Sequence, residues 1–247
     1  MSLRSKTEKT ERASEADLYP PVEKYFAAQG YTVKGEVLGC DLVAVKGESI
    51  IVAELKLTFN IKLIYQAVRR LAITPNVYAV IFKPKGRQKM SFWQMIKSLC
   101  RRLNIGMLIV DKGEVVSFVE PAPFAGKING RQKAKVLKEF NGRRVSQNIG
   151  GVTGKKLETA YLETAIHISV LLKKHKSLKP ADLVGLGCSE KAGQILYYNY
   201  YGWFEKTARG VYKLKSGKAR AIAKENPRIW EFYELEVATS SVETGRR

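Results

Sequence analysis

Three charged side chains interrupt apolar, strand-like runs early in the chain. Asp41 lies in Gly39-Cys40-Asp41-Leu42-Val43-Ala44-Val45, and Glu54 and Lys56 lie in Val52-Ala53-Glu54-Leu55-Lys56-Leu57. Two carboxylates and a lysine on adjacent strands are the parts of a divalent-cation site for phosphodiester hydrolysis. Mg²⁺ takes hard oxygen ligands, usually one or two carboxylates with waters and substrate phosphate. Such a cation lowers the pKa of its water and stabilises charge on phosphoryl oxygens. Lys56 would orient the attacking water, help deprotonate it, or neutralise the transition state.

Pairing arithmetic places the three together. The strands meet through Lys46-Gly47-Glu48-Ser49. Whether the loop is Gly47-Glu48 or all four residues, paired numbers keep one sum, so Val45 faces Ile50 and Asp41 falls opposite Glu54. Glycine at the first central position suits a type II′ turn, which favours the shorter loop. Directly opposed residues share a face with Cβ atoms about 4.5–5.5 Å apart, where like charges repel. That pair calls for a cation. Lys56, two residues on, points to the same face, and its cross-strand neighbour Gly39 leaves room. The plainer alternative is a half-exposed hairpin with ordinary charges; apolar Ile50, Ile51, Val52, Ala53 and Leu55 argue against it.

The surrounding pattern supplies a frame. Apolar residues at helical spacing run from Glu15 to Gln29, stopped by Gly30. Strands are expected at Tyr31–Val37, Asp41–Val45 and Ile50–Leu57. A helix capped by Asn60 runs to about Ala72, with Ile64, Ala67, Val68 and Leu71 inward. Val77–Phe82 reads as a strand buried on both faces, and Ser91–Leu103 as a helix with Ser91 as N-cap. Strands Ile105–Asp111 and Glu114–Val119 complete an α/β layer with a mixed sheet.

Composition narrows the partners. The chain has 247 residues, 45% of them apolar, with 43 Lys plus Arg against 23 Asp plus Glu, a formal net charge of +20. Such an excess is costly in self-repulsion without a polyanion, so nucleic acid is the expected partner and no membrane is. No apolar run is long enough to span a bilayer. The charged N-terminus does not read as a secretory signal. Cys40, Cys100 and Cys188 form neither a disulfide framework nor a zinc spacing. The cytoplasm is the expected compartment.

The α-β-β-β-α-β order, with Gly-Cys-Asp-Leu-Val-Ala-Val and then Ile-Ile-Val-Ala-Glu-Leu-Lys-Leu, resembles the PD-(D/E)XK phosphodiesterase superfamily over roughly residues 15–119. That group holds restriction enzymes, repair nucleases and junction resolvases. The chain is similar to a bacterial branch with no defined substrate. The resemblance implies a restriction-endonuclease-like αβββαβ core using Mg²⁺, with Mn²⁺ as an alternative. It also implies a metal held by Asp41, Glu54 and the Leu55 carbonyl, with Lys56 catalytic. Glu23 on the first helix, as a further acid placing the metal, and Gln66 on the helix after the motif join the site only through this likeness. Cys40 stands where the motif's name has proline, a position that varies in the superfamily. Arg69 and Arg70 follow Gln66; Arg70, one turn on, shares its face and would hold a phosphate beside the metal.

The domain plan is a tail at 1–14, the nuclease-like domain at 15–124, and a basic, Gly-containing linker at 125–156. A domain at 157–236 and a tail at 237–247 follow. Helices at Leu157–Lys174, from Pro180, and at Lys191–Tyr200 precede a hairpin, Trp203–Lys206 with Val211–Leu214. That is the order of a winged helix-turn-helix. Its third helix would present Lys191, Gln194, Tyr197, Tyr198 and Asn199, and its wing Lys206, Arg209, Lys213 and Lys215, to nucleic acid. Ile195, Leu196, Tyr200, Trp203 and Phe204 are expected in the core.

The reading is a metal-dependent DNA endonuclease or related phosphodiesterase acting on double-stranded DNA. Two alternatives stay open: a non-catalytic DNA-binding regulator on the same fold, and a junction resolvase, which would need a homodimer.

Overall fold

Six apolar stretches pair into one mixed sheet in the spatial order β1 (Thr32–Val37), β2 (Cys40–Lys46), β3 (Ser49–Lys56), β4 (Asn76–Phe82), β5 (Gly106–Asp111) and β6 (Glu114–Val119). The computed structural model describes residues 13–123, 126–145 and 159–244, which divide into two units, 13–123 with 126–140 and 141–145 with 159–244. Of the sequence expectations, most of the N-terminal tail, residues 146–156 of the linker, the first two residues of the helix expected from Leu157 and the last three residues lie outside the described residues.

In the first unit, β1, β2 and β3 form an antiparallel meander, β3, β4 and β5 run parallel, and β6 returns antiparallel. The parallel steps need crossovers, supplied by α2 (Ile61–Arg70) and α3 (Met90–Arg102). Strand alternation splits the core between the two faces. One face carries Leu42, Ala44, Ala53, Leu55 and Val80 against Leu18, Val22 and Phe26, at the start of and along α1 (Tyr19–Ala27). The opposite face carries Val77, Ala79 and Ile81 against Leu63, Ile64, Ala67 and Leu71 of α2 and its C-cap, with Ile96 and Cys100 of α3. Leu63 therefore takes the inward place expected of Val68, which is exposed. Asn60 caps α2 as expected, its Oδ1 accepting from Leu63 N at 2.9 Å. Ser91 does not cap α3: the helix starts at Met90 with Lys89 in the N-cap position.

The first expected helix begins as a 3₁₀ turn, Glu15–Leu18, and becomes α-helical at Tyr19, where Pro20 and Pro21 sit in the first turn without needing donors. A further helix, α4 (Gly130–Gly142), forms inside the segment expected as linker. Val136, Leu137 and Phe140 recur along one side of it. They pack on Val37, Cys40, Val43, Ile50 and Val52, so burial of that stripe orders a stretch whose basic composition conceals it.

The second unit places α5 (Ala160–His175) at the centre of a core with α6 (Pro180–Gly185) and α7 (Ala192–Tyr198). The hairpin β8 (Phe204–Ala208) with β9 (Val211–Leu214), α8 (Lys218–Glu225) and α9 (Pro227–Thr244) complete it. A short strand, β7 (Ser177–Leu178), pairs with β9, giving a three-stranded sheet in the order β7-β9-β8. The expected three helices and hairpin are present. The expected tail is helical to Thr244, because Ile229, Trp230, Tyr233 and Val237 line the buried side of α9.

Buried Glu163 fixes the segment that enters this unit. Its Oε1 accepts from Arg144 N at 2.7 Å, Val145 N at 3.2 Å and Tyr233 Oη at 2.8 Å. His167 stacks on the Tyr233 ring, centroids 4.1 Å apart. Burial pushes its imidazole down to about 4, with Glu236 opposing and Arg144 assisting. A histidine held neutral in the fold gives full stability above its ordinary pKa near 6.5 and loses it as pH falls from there to about 4. Second-unit stability is expected to fall by about 3 kcal/mol across that window, on 1.36 kcal/mol per pKa unit. In pH-dependent urea unfolding, His167→Phe should flatten this slope; an unchanged slope would contradict the assignment.

Candidate active site

The β2–β3 ladder pairs Lys46 with Ser49, Val45 with Ile50 and Leu42 with Ala53, which is the register that sets Asp41 across from Glu54. The loop is the two-residue one: Gly47 has φ +57° and Glu48 is not in the left-handed region, as a type II′ turn requires. At the end of β3 the ladder continues to β4 with Glu54 beside Ala79 and Lys56 beside Ile81.

All three charges are buried, and each is tied down. Asp41 Oδ2 accepts from Leu55 N at 2.8 Å and lies 3.7 Å from Lys56 Nζ. Lys56 Nζ donates to the Leu55 carbonyl at 2.7 Å and to Glu15 Oε2 at 2.8 Å. Glu54, with no exposed side-chain surface, accepts from Arg70 Nε on Oε1 at 2.6 Å, and Arg70 Nη2 donates to the Gly39 carbonyl. Among the described residues, Glu54 Oε2 and Gln66 Oε1 are buried with no hydrogen-bond partner.

The electrostatics divide the roles. Burial, with Asp41 next to it, pushes the Glu54 carboxyl up to about 7 against the pull of Arg70 and Lys56. Burial alone would lower Lys56, but the Glu15 hydrogen bond and the charges of Asp41, Glu15 and Glu54 outweigh it, so its net shift is upward. An ammonium held in this way is suited to stabilising negative charge. Beside them, burial pushes the Cys40 thiol up to about 12; it packs as an inert apolar group.

Glu23 does not join the cluster. It lies in the second turn of α1, where its Oε1 accepts from Tyr19 Oη at 3.3 Å. Among the described residues, no three Asp, Glu, His or Cys side chains converge to hold a metal ion. The acid that reaches Lys56 is Glu15, at the start of the 3₁₀ turn, which periodicity could not single out. Its one sequence signal is its place in Ser14-Glu15-Ala16-Asp17, a helix-start pattern. Arg70, expected to meet phosphate, is turned onto Glu54 instead.

A divalent cation is tested by the donor set. Asp41, Glu54 and the Leu55 carbonyl are hard oxygen donors in one place, and Glu54 Oε2 is an orphaned buried acceptor, the kind of atom that normally has a partner. The residues present fit such an ion, with Arg70 and Lys56 now satisfying oxygens that it would share.

The other expected contacts lie on the surface. Arg69 is exposed, its guanidinium 5.8 Å from the Tyr65 ring centre. In the second unit Lys191, Gln194, Tyr197, Tyr198, Lys206 and Arg209 are exposed. Lys213 is exposed too, but pairs with Glu205 Oε1 across the hairpin at 2.9 Å. Asn199 is not offered outward: with φ +44° it ends α7, and its side chain bonds both Phe204 N and Phe204 O. Tyr200, expected in the core, is 73% exposed and stacked on Tyr198.

The mixed six-stranded sheet with helices on both faces is consistent with a restriction-endonuclease-like core. Residues 106–221 match the family model described as "Putative PD-(D/E)XK phosphodiesterase (DUF2161)". The match runs from β5 to α8, C-terminal to Asp41, Glu54 and Lys56. No curated protein and no solved structure matches the chain. Among the described residues no helix is long and apolar enough to cross a membrane.

Proposed function

We propose that the chain is a divalent-metal-dependent phosphodiesterase that hydrolyses backbone phosphodiesters of double-stranded DNA, with the second unit acting as a basic winged-helix module that holds the duplex. One observation carries the reading: two opposed, buried carboxylates, one with an orphaned oxygen, stand next to a lysine held as ammonium. Asp41, Glu54 and the Leu55 carbonyl would hold Mg²⁺ or Mn²⁺. When bound, the cation supplies charge stabilisation for a phosphoryl oxygen and a lower pKa for water. Water gives up a proton to solvent as it attacks phosphorus in line, the opposite P–O ester bond breaks, and the leaving oxygen takes a proton from solvent. Lys56 stabilises the charge that builds on a non-bridging oxygen. Glu15 and Asp41 hold Lys56 in place, and Gln66, whose Oε1 is buried without a partner among the described residues, would join them.

The net charge of +20 supports a polyanionic substrate. Exposed Lys191, Gln194, Lys206 and Arg209 would meet phosphates, which sets affinity and not sequence choice. One observation favours a second reading, a non-catalytic DNA-binding regulator: Arg70 and Lys56 already neutralise much of the acidic pair internally. Plasmid, linear duplex, single-strand and four-way-junction DNA incubated with Mg²⁺ or Mn²⁺ separate the two. Cleavage by wild type, lost in Asp41→Ala and Lys56→Ala, supports the hydrolase. Tight duplex binding without cleavage of any substrate would hand the case to the regulator. Preference for junctions, with a dimer in solution, would mark a resolvase.

A further inference from the structure

A second feature of the first unit lies against this site and has no role in it. The C-terminal end of α2, the β1–β2 turn and α4 enclose a cleft of about 440 Å³ lined by Arg69, Arg70, Gln132 and Lys135, with Leu38 and Ile73 among its apolar walls. Among the described residues no acidic side chain lines it. Neither Arg69 nor Lys135 is ion-paired among the described residues, and both are exposed. Unpaired like charges converging on one cleft are unfavourable unless an anion is received there.

The position gives that anion its identity. Arg70 forms both the wall of the cleft and the contact to Glu54, through Nε at 2.6 Å. An anion in the cleft is therefore one guanidinium away from the acidic pair. That separation suits a phosphate neighbouring the one attacked, and not the attacked one. Arg and Lys with an amide side chain are the groups that grip phosphate oxygens, and the apolar walls suit the face of a sugar. The cleft depends on α4, which is ordered by the packing of Val136 and Phe140 on the sheet.

We propose that this cleft is a subsite for a non-scissile backbone phosphate of the nucleic-acid strand, gripped by Arg69, Lys135 and Gln132. The proposal rests on the phosphodiesterase reading for its substrate, but its test is made by binding and needs no catalysis. Fluorescence anisotropy of a labelled short duplex is measured in EDTA across a salt series for wild type, Arg69→Ala/Lys135→Ala, and a control pair on α3, Lys97→Ala/Arg101→Ala, with circular dichroism to check folding. The cleft variant is expected to bind about 10-fold more weakly, and its log Kd against log salt slope to fall by about 1–2, on roughly 0.9 for each phosphate no longer neutralised. The control pair should change affinity less than about 2-fold. Wild-type affinity in the cleft variant, or equal weakening in both pairs, overturns the subsite. Calorimetry with inorganic phosphate distinguishes the source: phosphate binding abolished in the cleft variant while duplex affinity is kept assigns the cleft to free phosphate and overturns the strand. A wild type that cleaves nothing, with duplex affinity still dependent on the cleft, defeats the hydrolase and supports the subsite.

Discussion

Arg70→Ala is expected to destabilise the first unit by about 3–5 kcal/mol in metal-free buffer, the range for removing one partner of a buried ion pair. Glu54 has no exposed side-chain surface, and Arg70 is its one cationic hydrogen-bond donor among the described residues. Without the guanidinium the carboxyl, already pushed up to about 7 by burial and Asp41, takes a proton at neutral pH. That proton limits the loss and places the expectation towards the lower end. A cation that binds the folded state at Glu54 should restore stability by mass action. Because the chain has two units, hydrogen exchange of the β3 amides is the measurement, since it reads the first unit alone. The expected result is faster exchange in Arg70→Ala with EDTA, largely reversed by millimolar Mn²⁺. Unchanged exchange in EDTA would show that the ion pair contributes little. Exchange indifferent to Mn²⁺ in wild type and variant alike would remove the cation site.

Asp41→Asn should reduce cleavage by about three orders of magnitude while leaving the fold intact. The amide keeps an oxygen for Leu55 N, so the 2.8 Å hydrogen bond that ties β2 to β3 survives, but the charge is gone. Lys56→Ala should cost about 10²–10³ in rate, the usual size for removing one donor aimed at developing charge. Lys56→Arg should not recover the rate, because a planar fork does not replace a point charge in the pocket set by Glu15, Asp41 and the Leu55 carbonyl. Single-turnover cleavage of a labelled duplex, beside affinity in EDTA, checks both variants. Equal loss of affinity and rate would mean the residues hold the duplex and not the reaction.

The parts of this molecule that could be read from the chain are those governed by the period of two. Asp41 opposite Glu54, with Lys56 on their face, follows from counting across a short turn, and the strands flanking it are apolar without interruption. The rest depended on features that counting does not see. Glu15 sits in a single 3₁₀ turn, too short for a periodic signal, while Glu23 occupies an ordinary helical position that faces Tyr19. Arg70 lies one helical turn after Gln66 on α2, but a long side chain there can turn outward to phosphate or inward to a carboxylate. The burial of Glu54 decides for the carboxylate. The stripe that orders α4 is short and diluted by lysine and arginine. Asn199 looked like a polar contact on an exposed helix, and its left-handed backbone makes it the stop instead.

The Gly47–Glu48 turn touches nothing near Gly47, so its sequence is free to drift among residues that accept the bend. Its length is not. A change of length that shifts the β2–β3 register by one residue would reverse which side of the sheet every later residue of β3 faces, sending Glu54 and Lys56 into the packing of α1 and bringing Leu55 to Arg70. The chemistry of this site is thus guarded by the parity of a solvent-facing loop. Among descendants of this chain, substitutions should accumulate there while insertions of a single residue are lost.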